Sequence, residues 1–378
     1  MKTAPRYDVV VIGAGVFGAW SAYTLRLTGK RVALLDAYGA GNSRSSSGGE
    51  SRIIRMGYGP DRLYTRYSLR SLELWQALFQ GANTPLFHRT GMLWMAGKRV
   101  AIVHETAKAL RAEGVQHELL SARELHQRFP QFSFKGVSAG VYEPGSGAIL
   151  ARRAVQALLN EAVAQGVEYF PEAFVKLDGK RRIESIRTPN RKLAADDFVF
   201  ASGPWLPKLF PRLLRKLITP TRQEVFFFGA GPKQAGLFAP PAMPCFYHCD
   251  HEAYGVPDLE SRGVKIALDT LGPKFDPDTG SRVVSSQGVR DIRRFLARHM
   301  PSLAEAPIVE SRVCQYECTR NRDFLIDRHP ALANAVIVGG GSGHGFKHGP
   351  AVGEYVANLL LGRGATEPRF SLAAHSTK

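Results

Sequence analysis

Tyr7 to Ile12 is a short β-branched apolar run, the pattern of a strand buried on both faces of a parallel sheet. A glycine turn follows, and Ala19 to Leu27 reads as a helix that ends near Gly29. Arg31 to Leu35 is a second buried strand, completing a βαβ unit. From Gly39 to Arg52 the chain reads GAGNSRSSSGGESR, almost without large apolar side chains, so it predicts a loop too short to tether domains flexibly. Leu63 to Phe79 predicts a helix, with Leu69, Leu72 and Phe79 at helical spacing. Ser121 and Glu124 form a capping-box pattern, and Leu150 to Gln165 is an amphipathic helix closed by Gly166. Phe198 to Ala201 is another buried strand, running straight into Ser202-Gly203-Pro204.

The middle of the chain differs. Glu224 to Gly229, Cys245 to His248 and Val264 to Leu268 predict sheet segments separated by Pro/Gly turns. Val289 to His299 is a basic amphipathic helix stopped by Pro301. A parallel-type strand returns at Ala335 to Val338, followed by a glycine turn and a helix from about Pro350 to Leu361. Segments of βαβ type therefore recur at the start, middle and end, with sheet-rich material between. Two interleaved domains account for this more simply than two consecutive ones.

At 378 residues the chain has length for two or three domains, and 44% hydrophobic residues exclude a disordered or fibrous chain. Fifty Lys+Arg against 33 Asp+Glu leave a net charge of +17, which suits anionic partners without selecting among them. The basic residues are dispersed (Arg152-Arg153, Lys180 to Arg182, Arg293-Arg294) with no aromatic-interleaved patch, which argues against nucleic acid. No run of 18 apolar residues predicts a membrane span, and the N-terminal apolar stretch lacks an export cleavage signature. Four cysteines without a C-x-x-C pair argue against a disulfide framework or structural zinc, and no metal ligands are assigned. The expectation is a reduced, soluble, cytoplasmic protein.

Gly13-Ala14-Gly15-Val16-Phe17-Gly18 is G-x-G-x-x-G set between a strand and a helix. The first glycine permits the turn, the second lets backbone approach a pyrophosphate, and the third lets helix pack on strand. The helix N-terminus then offers N–H donors and partial positive charge to the phosphates. Asp36 closes the second strand roughly 20 residues on, where a carboxylate can accept both hydroxyls of an adenosine ribose. This fingerprint does not separate NAD from FAD. The last strand, however, gives VIVGGGSGHGFKHG, and a nicotinamide dehydrogenase would not need the chain to return to its cofactor there. A glycine turn from Gly339 to Gly345 would set bare amides and a helix N-terminus against something anionic, and the edge of a reduced flavin fits.

The series G-x-G-x-x-G, SSSGGESRIIR, Ser202-Gly203-Pro204-Trp205, CQYECT, FLIDRHP and GSGHGFK resembles the monomeric sarcosine oxidase family of D-amino-acid-oxidase-like flavoproteins. The resemblance covers nearly the whole chain. It implies an α/β (α+β overall) fold in which a doubly wound, Rossmann-type FAD-binding domain (1–85, 145–220 and 310–378) interleaves with an antiparallel-sheet substrate domain (86–144 and 221–309). It implies FAD held by Gly13, Gly15, Val16, Phe17, Gly18, Asp36, Ser45, Ser46, Arg52, Val175, Gly203, Trp205, Gly341, Gly343, His344, Gly345, Phe346 and Lys347, and covalently through Cys314 by a thioether to the flavin 8-methyl group. Cys318 has no counterpart and is assigned to packing. Lys347 and Arg55 match a pair that binds substrate carboxylate, with Arg52 nearer the flavin; arginine grips a carboxylate bidentately and lysine adds a point charge. Lys265 matches the lysine that activates dioxygen, since a fixed cation stabilises the superoxide formed on electron transfer. Tyr254 and His344 fall at further active-site positions, Tyr254 also toward substrate.

Two departures alter the expected substrate. Asp269 and Gly48 stand where the sarcosine-oxidising members carry histidines, and an aspartate at this site resembles relatives that oxidise cyclic imino acids. The implied reaction is oxidation of a secondary or cyclic α-amino acid to an imine with O₂ reduced to H₂O₂, by a monomer without nucleic-acid or membrane partners. The alternatives are a dehydrogenase using another acceptor and a pipecolate-type oxidase.

Overall fold

The first apolar run forms the strand Arg6–Ile12 at the centre of an eight-stranded sheet. The computed structural model describes residues 6–376. Around Arg6–Ile12 the parallel strands run in the order Ala335–Gly339, Lys192–Phe200, Arg6–Ile12, Val32–Leu35, Glu168–Phe170. Antiparallel strands complete this first sheet, Leu325–Arg328 beside Ala335–Gly339 and the pair Lys176–Asp178 and Ser185–Arg187 beside Lys192–Phe200. Successive side chains serve opposite faces, as a doubly covered sheet requires. Val9 and Val11 pack with Trp20, Val155 and Val352 of three helices, Val16–Leu27, Ala151–Ala164 and Gly349–Leu361. Val10 and Ile12 pack on the other side with Phe198, Phe200 and Leu206.

A second eight-stranded sheet runs in the order Ile308–Thr319, Ile218–Phe228, Val264–Leu268, Ala253–Val256, Cys245–His248, Met92–Ala96, Ala139–Glu143, Glu118–Ser121. Its described pairings are antiparallel except that of Cys245–His248 with Met92–Ala96. One face packs Phe226, Phe246 and Ile266 against Ile292, Phe295 and Leu296 of the helix Ser286–His299. The opposite face carries Val225, Phe227 and Ala267, with Tyr254 and Cys314 against them. A small third sheet joins Arg52–Ile54, Gly147–Ile149 and Phe87–His88.

The fold departs from the sequence pattern at element edges. The first helix begins at Val16, not Ala19, because the glycine turn ends at Gly15, whose carbonyl accepts from Ala19 N at 2.9 Å. The strand expected from Glu224 starts at Ile218, since its polar half is paired throughout with Ile308–Thr319. Residues 310–319, expected with the cofactor-binding segments, therefore lie in the second sheet. The turn after Ala335–Gly339 leads into a short 3₁₀ helix, Phe346–His348, before the final helix starts at Gly349.

Candidate active site

The glycine turn after Arg6–Ile12 lies against the end of Lys192–Phe200. Gly13 has φ +107°, and a Cβ there would sit 2.5 Å from the Ala201 carbonyl oxygen, so this crossing admits only glycine. A Cβ on Gly18 would run into the Gly13 carbonyl, so the helix can close on the strand only there. Asp36 is spent partly on holding this turn, for its carboxylate accepts from Ala14 N at 2.8 Å and Tyr38 N at 2.9 Å. Burial pushes its pKa up against those bonds.

The Gly/Ser loop folds back over the helix start. Ser47 Oγ accepts from Val16 N at 3.0 Å, capping a donor that no helical carbonyl reaches. Arg52 ties the loop from inside, donating to the Ser46 and Ser51 carbonyls at 2.7 and 2.8 Å and to Cys314 Sγ at 3.4 Å. A Cβ at Gly48 would strike the Asn42 carbonyl, so this loop has no room for the histidine that the family resemblance places there. The far wall is the turn Gly341–Gly345, where Gly345 N donates to the Gly341 carbonyl at 2.8 Å and Gly341 N donates to Glu317 Oε1 at 3.3 Å. Together these segments enclose a cleft of about 310 Å³, with Trp205 and Tyr38 at one end and Arg52 and Gly343 at the other.

A second cleft of about 400 Å³ opens from the first, and both are lined by Arg52, Tyr316, Ser342, Gly343 and Phe346. Charged groups gather here. Arg55 is held between the rings of Tyr58 and Trp94, 4.3 and 4.4 Å from their centroids, and donates to the Gly57 carbonyl. Lys347 is 4% exposed and donates to Tyr58 Oη at 2.7 Å and the His344 carbonyl at 3.0 Å. Burial, then the neighbouring Arg55, holds its pKa well below the usual lysine range, so a carboxylate placed between the two cations would be drawn in to restore that charge. Asp269 accepts from Tyr316 Oη at 3.0 Å and Tyr247 Oη at 3.4 Å, and burial pushes its pKa up. Burial also raises Tyr58, Tyr247, Tyr254 and Tyr316, which keeps their hydroxyls protonated as donors.

Lys265 is 3% exposed and donates to the Ser51 carbonyl at 2.6 Å, with Tyr254 beside it. Burial, then Arg52, brings its pKa down to about 7, where a small change of surroundings decides its charge. His344 stacks on Phe324, and its ring nitrogens lie 2.9 Å from the Arg322 carbonyl and 3.4 Å from Tyr58 Oη. Burial keeps that imidazole neutral.

Gly13, Gly15, Val16, Phe17, Asp36, Ser45, Ser46, Arg52, Gly203, Trp205, Gly341, Gly343, Gly345 and Phe346 all line the first cleft. Arg55, Tyr254, Lys265, Asp269, Cys314, His344 and Lys347 line the second. Gly18 stands behind the first cleft. Val175 lies outside both: it is 61% exposed, and its backbone N–H donates to the Arg187 carbonyl at 2.9 Å. Cys318 is buried beside Thr221, away from both lining sets.

Sequence reasoning missed four residues. Glu143, buried in the second sheet, accepts from Met56 N, Gly57 N and Trp94 Nε1 at 2.7, 3.1 and 2.9 Å, and so fixes the turn that carries Arg55 and Tyr58. Tyr316 and Tyr58 complete the hydroxyl ring of the second cleft. Glu317, at a wall of the first cleft, is pushed up to about 7 by burial, and its Oε2 has no partner among the described residues. Its signal was a lone carboxylate between Tyr316 and Cys318 in CQYECT.

Buried Glu317 Oε2 and Ser46 Oγ, both unpartnered among the described residues, and the bare-backbone cradle at Gly13 suit a large polar ligand with a phosphate-bearing end. Residues 8–359 match the family of FAD dependent oxidoreductases known as DAO. The monomeric sarcosine oxidase of Bacillus sp. (strain B-0618) is 32% identical over 373 residues, 97% of this chain and 95% of the relative. The human peroxisomal sarcosine oxidase is 32% identical over 376 residues, 97% of this chain and 94% of the relative. Among solved structures, the L-proline dehydrogenase of P. horikoshii superposes with a TM-score of 0.85 at 20% identity, covering 98% of both chains. The fold and site define an FAD-dependent oxidoreductase. This chain belongs to the DAO family of those enzymes.

Proposed function

We propose that this enzyme oxidises the C–N bond of a secondary or cyclic α-amino acid to the imine, with O₂ reduced to H₂O₂. The observation that carries this is the junction: a cleft built for a dinucleotide opens, across Arg52 and Gly343, into one lined by Arg55, the buried Lys347 and the half-buried carboxyl group of Asp269. The glycine turns, Asp36 and the Ser45–Ser47 loop would hold FAD, which when bound would supply the two-electron chemistry between the amino acid and O₂. Arg55 and Lys347 hold the substrate carboxylate and so orient the α C–H bond toward the shared wall. Asp269, with Tyr247 and Tyr316 on its oxygens, faces the amine and accepts from its N–H. Lys265, fixed on the Ser51 carbonyl, places a cation where reduced oxygen species form. The hydrogens lost from C–H and N–H end in H₂O₂, and water hydrolyses the released imine. Cys314, beside Arg52, is the proposed covalent anchor of the flavin.

Asp269 favours a cyclic imino acid or a bulkier N-methyl amino acid over sarcosine, because a carboxyl group faces the amine in place of an imidazole. The test is a peroxide assay of the FAD-loaded enzyme across sarcosine, proline, pipecolate and larger N-methyl amino acids, with acid precipitation of the same preparation. Peroxide equal to the amino acid consumed is expected, with the yellow colour remaining in the pellet. Turnover supported only by an artificial acceptor makes the enzyme a dehydrogenase, and flavin freed into the supernatant removes Cys314 as anchor.

A further inference from the structure

On the face of the second sheet turned away from the clefts, three imidazoles meet. His248 ends the strand Cys245–His248, His251 lies in the turn after it, and His299 closes the helix Ser286–His299. Their ring centroids are 4.5, 4.6 and 4.7 Å apart in pairs, and one potential ligand nitrogen from each lies within 4.8 Å of the others. His248 is 2% exposed and His299 3% exposed, yet all four of their ring nitrogens lack a hydrogen-bond partner among the described residues. Buried imidazoles are ordinarily hydrogen-bonded, so two adjacent exceptions with converging lone pairs call for a ligand.

We infer that His248, His251 and His299 form a binding site for a zinc-class divalent transition metal, independent of the flavin site. Three imidazole nitrogens are a common ligand set for such ions, and a tetrahedral site with metal–nitrogen bonds of about 2.0–2.1 Å leaves a fourth position for water. Binding would draw together the three nitrogens, which lie within 4.8 Å of one another.

The scaffold is already fixed. Asp250, between the first two histidines, accepts from the backbone N–H groups of Gly97, Lys98 and Arg99 at 2.7, 3.1 and 2.7 Å, pinning the turn. The His299 carbonyl accepts from Ser133 N at 2.8 Å. Phe295 packs against His299 at 5.0 Å and closes the apolar side. Arg298 and Lys98 oppose a cation here, while Asp250 offsets them.

The bound ion would tie the helix Ser286–His299 to the hairpin that carries the active-site tyrosines. Tyr247 and Tyr254 are paired across that hairpin and line the second cleft, while His248, next in sequence, points to the opposite face. The site thus braces one wall of the cleft from behind without touching substrate.

The test uses untagged FAD-loaded enzyme stripped with a chelator and titrated with zinc against a chromophoric competitor, beside His251→Ala and His299→Ala. His251 is the least buried of the three, so its variant leaves the core intact. The expected result is one zinc per chain, with affinity falling by roughly 100-fold or more in either variant, since even outer-shell partners of a ligand are worth about 10–100-fold. Zinc should raise the melting temperature of the parent protein and not that of His251→Ala. Absence of stoichiometric uptake, or uptake equal in parent and His251→Ala, overturns the site and shows three neutral rings merely packed together. The readouts are metal content and melting temperature, so the outcome does not depend on the proposed reaction.

Discussion

The two clefts that meet at Arg52 are built by opposite means. The first is walled largely by main chain: the turn at Gly13–Gly15, the Ser45–Ser47 loop and the turn at Gly341–Gly345 expose amides and leave room by having no side chains. The second is walled by side chains brought from distant parts of the chain: Arg55 and Tyr58 from one turn, Tyr254, Lys265 and Asp269 from the second sheet and its edge, and Arg322 and Lys347 from the last third. A site made of backbone tolerates few substitutions where close approach requires glycine, as at Gly13, Gly18 and Gly345. A site made of side chains can be retuned residue by residue, and there the aspartate at 269 replaces the histidine implied by the family resemblance.

The contrast can be broken most decisively at Gly18. Its substitution by valine drives a side chain into the Gly13 carbonyl, and overpacking of this kind costs about 1–3 kcal/mol or more. The variant should purify without bound FAD; a yellow Gly18→Val protein of parent stability would show that the first cleft is not set by backbone approach.

Lys265→Met tests a single side chain in the second cleft. Reoxidation by O₂ should fall by about 10²–10³-fold, the scale of removing one preorganised charge donor, while anaerobic reduction by substrate stays within a few-fold. In the parent enzyme Lys265 is charged below about 7 and neutral above, so the oxygen step should slow as pH rises through that value. Rapid-mixing absorbance separates the two half-reactions, and equal losses in both would remove the assigned role.

Lys347→Met should raise KM by about 10–100-fold with a smaller change in kcat, since a hydrogen bond to a charged group is worth about 1.5–3 kcal/mol. An amine lacking the carboxylate should be indifferent to the substitution.

Glu317→Gln should have the smallest effect. Its folded pKa of about 7 lies above the ordinary 4.5, so the folded protein holds this proton more tightly than the unfolded chain. Stability from that proton is present below 4.5 and lost as pH rises to about 7. The glutamine variant, which needs no proton, should gain on the parent by roughly 2 °C or more in melting temperature over that interval. A difference independent of pH would mean that the carboxyl group is not buried as a neutral acid.

Much of the first cleft was legible in the chain because its determinants are contiguous. G-x-G-x-x-G, a carboxylate at the end of the next strand and a glycine-rich turn after the last strand each act through local backbone conformation. Edges were less legible: the polar half of Ile218–Phe228 has no apolar alternation, and only its partner strand makes it a strand. Glu143 illustrates the limit for the second cleft. It serves Arg55 through Met56 and Gly57, which lie far from it in sequence, and no local pattern announces that contact.

Sequence alone determined that this protein turns a glycine-bearing strand end toward a nucleotide, and that cations and one aspartate were available near it. Only the tertiary structure decided that Arg55, Lys347 and Asp269 share one cavity, that Val175 stands outside, and that three histidines converge behind the same sheet. The physical reason is range. Backbone sterics and periodic burial act over a few residues and leave their mark on neighbours in the chain, whereas the energy of a buried charge depends on groups that only folding brings within a few ångströms.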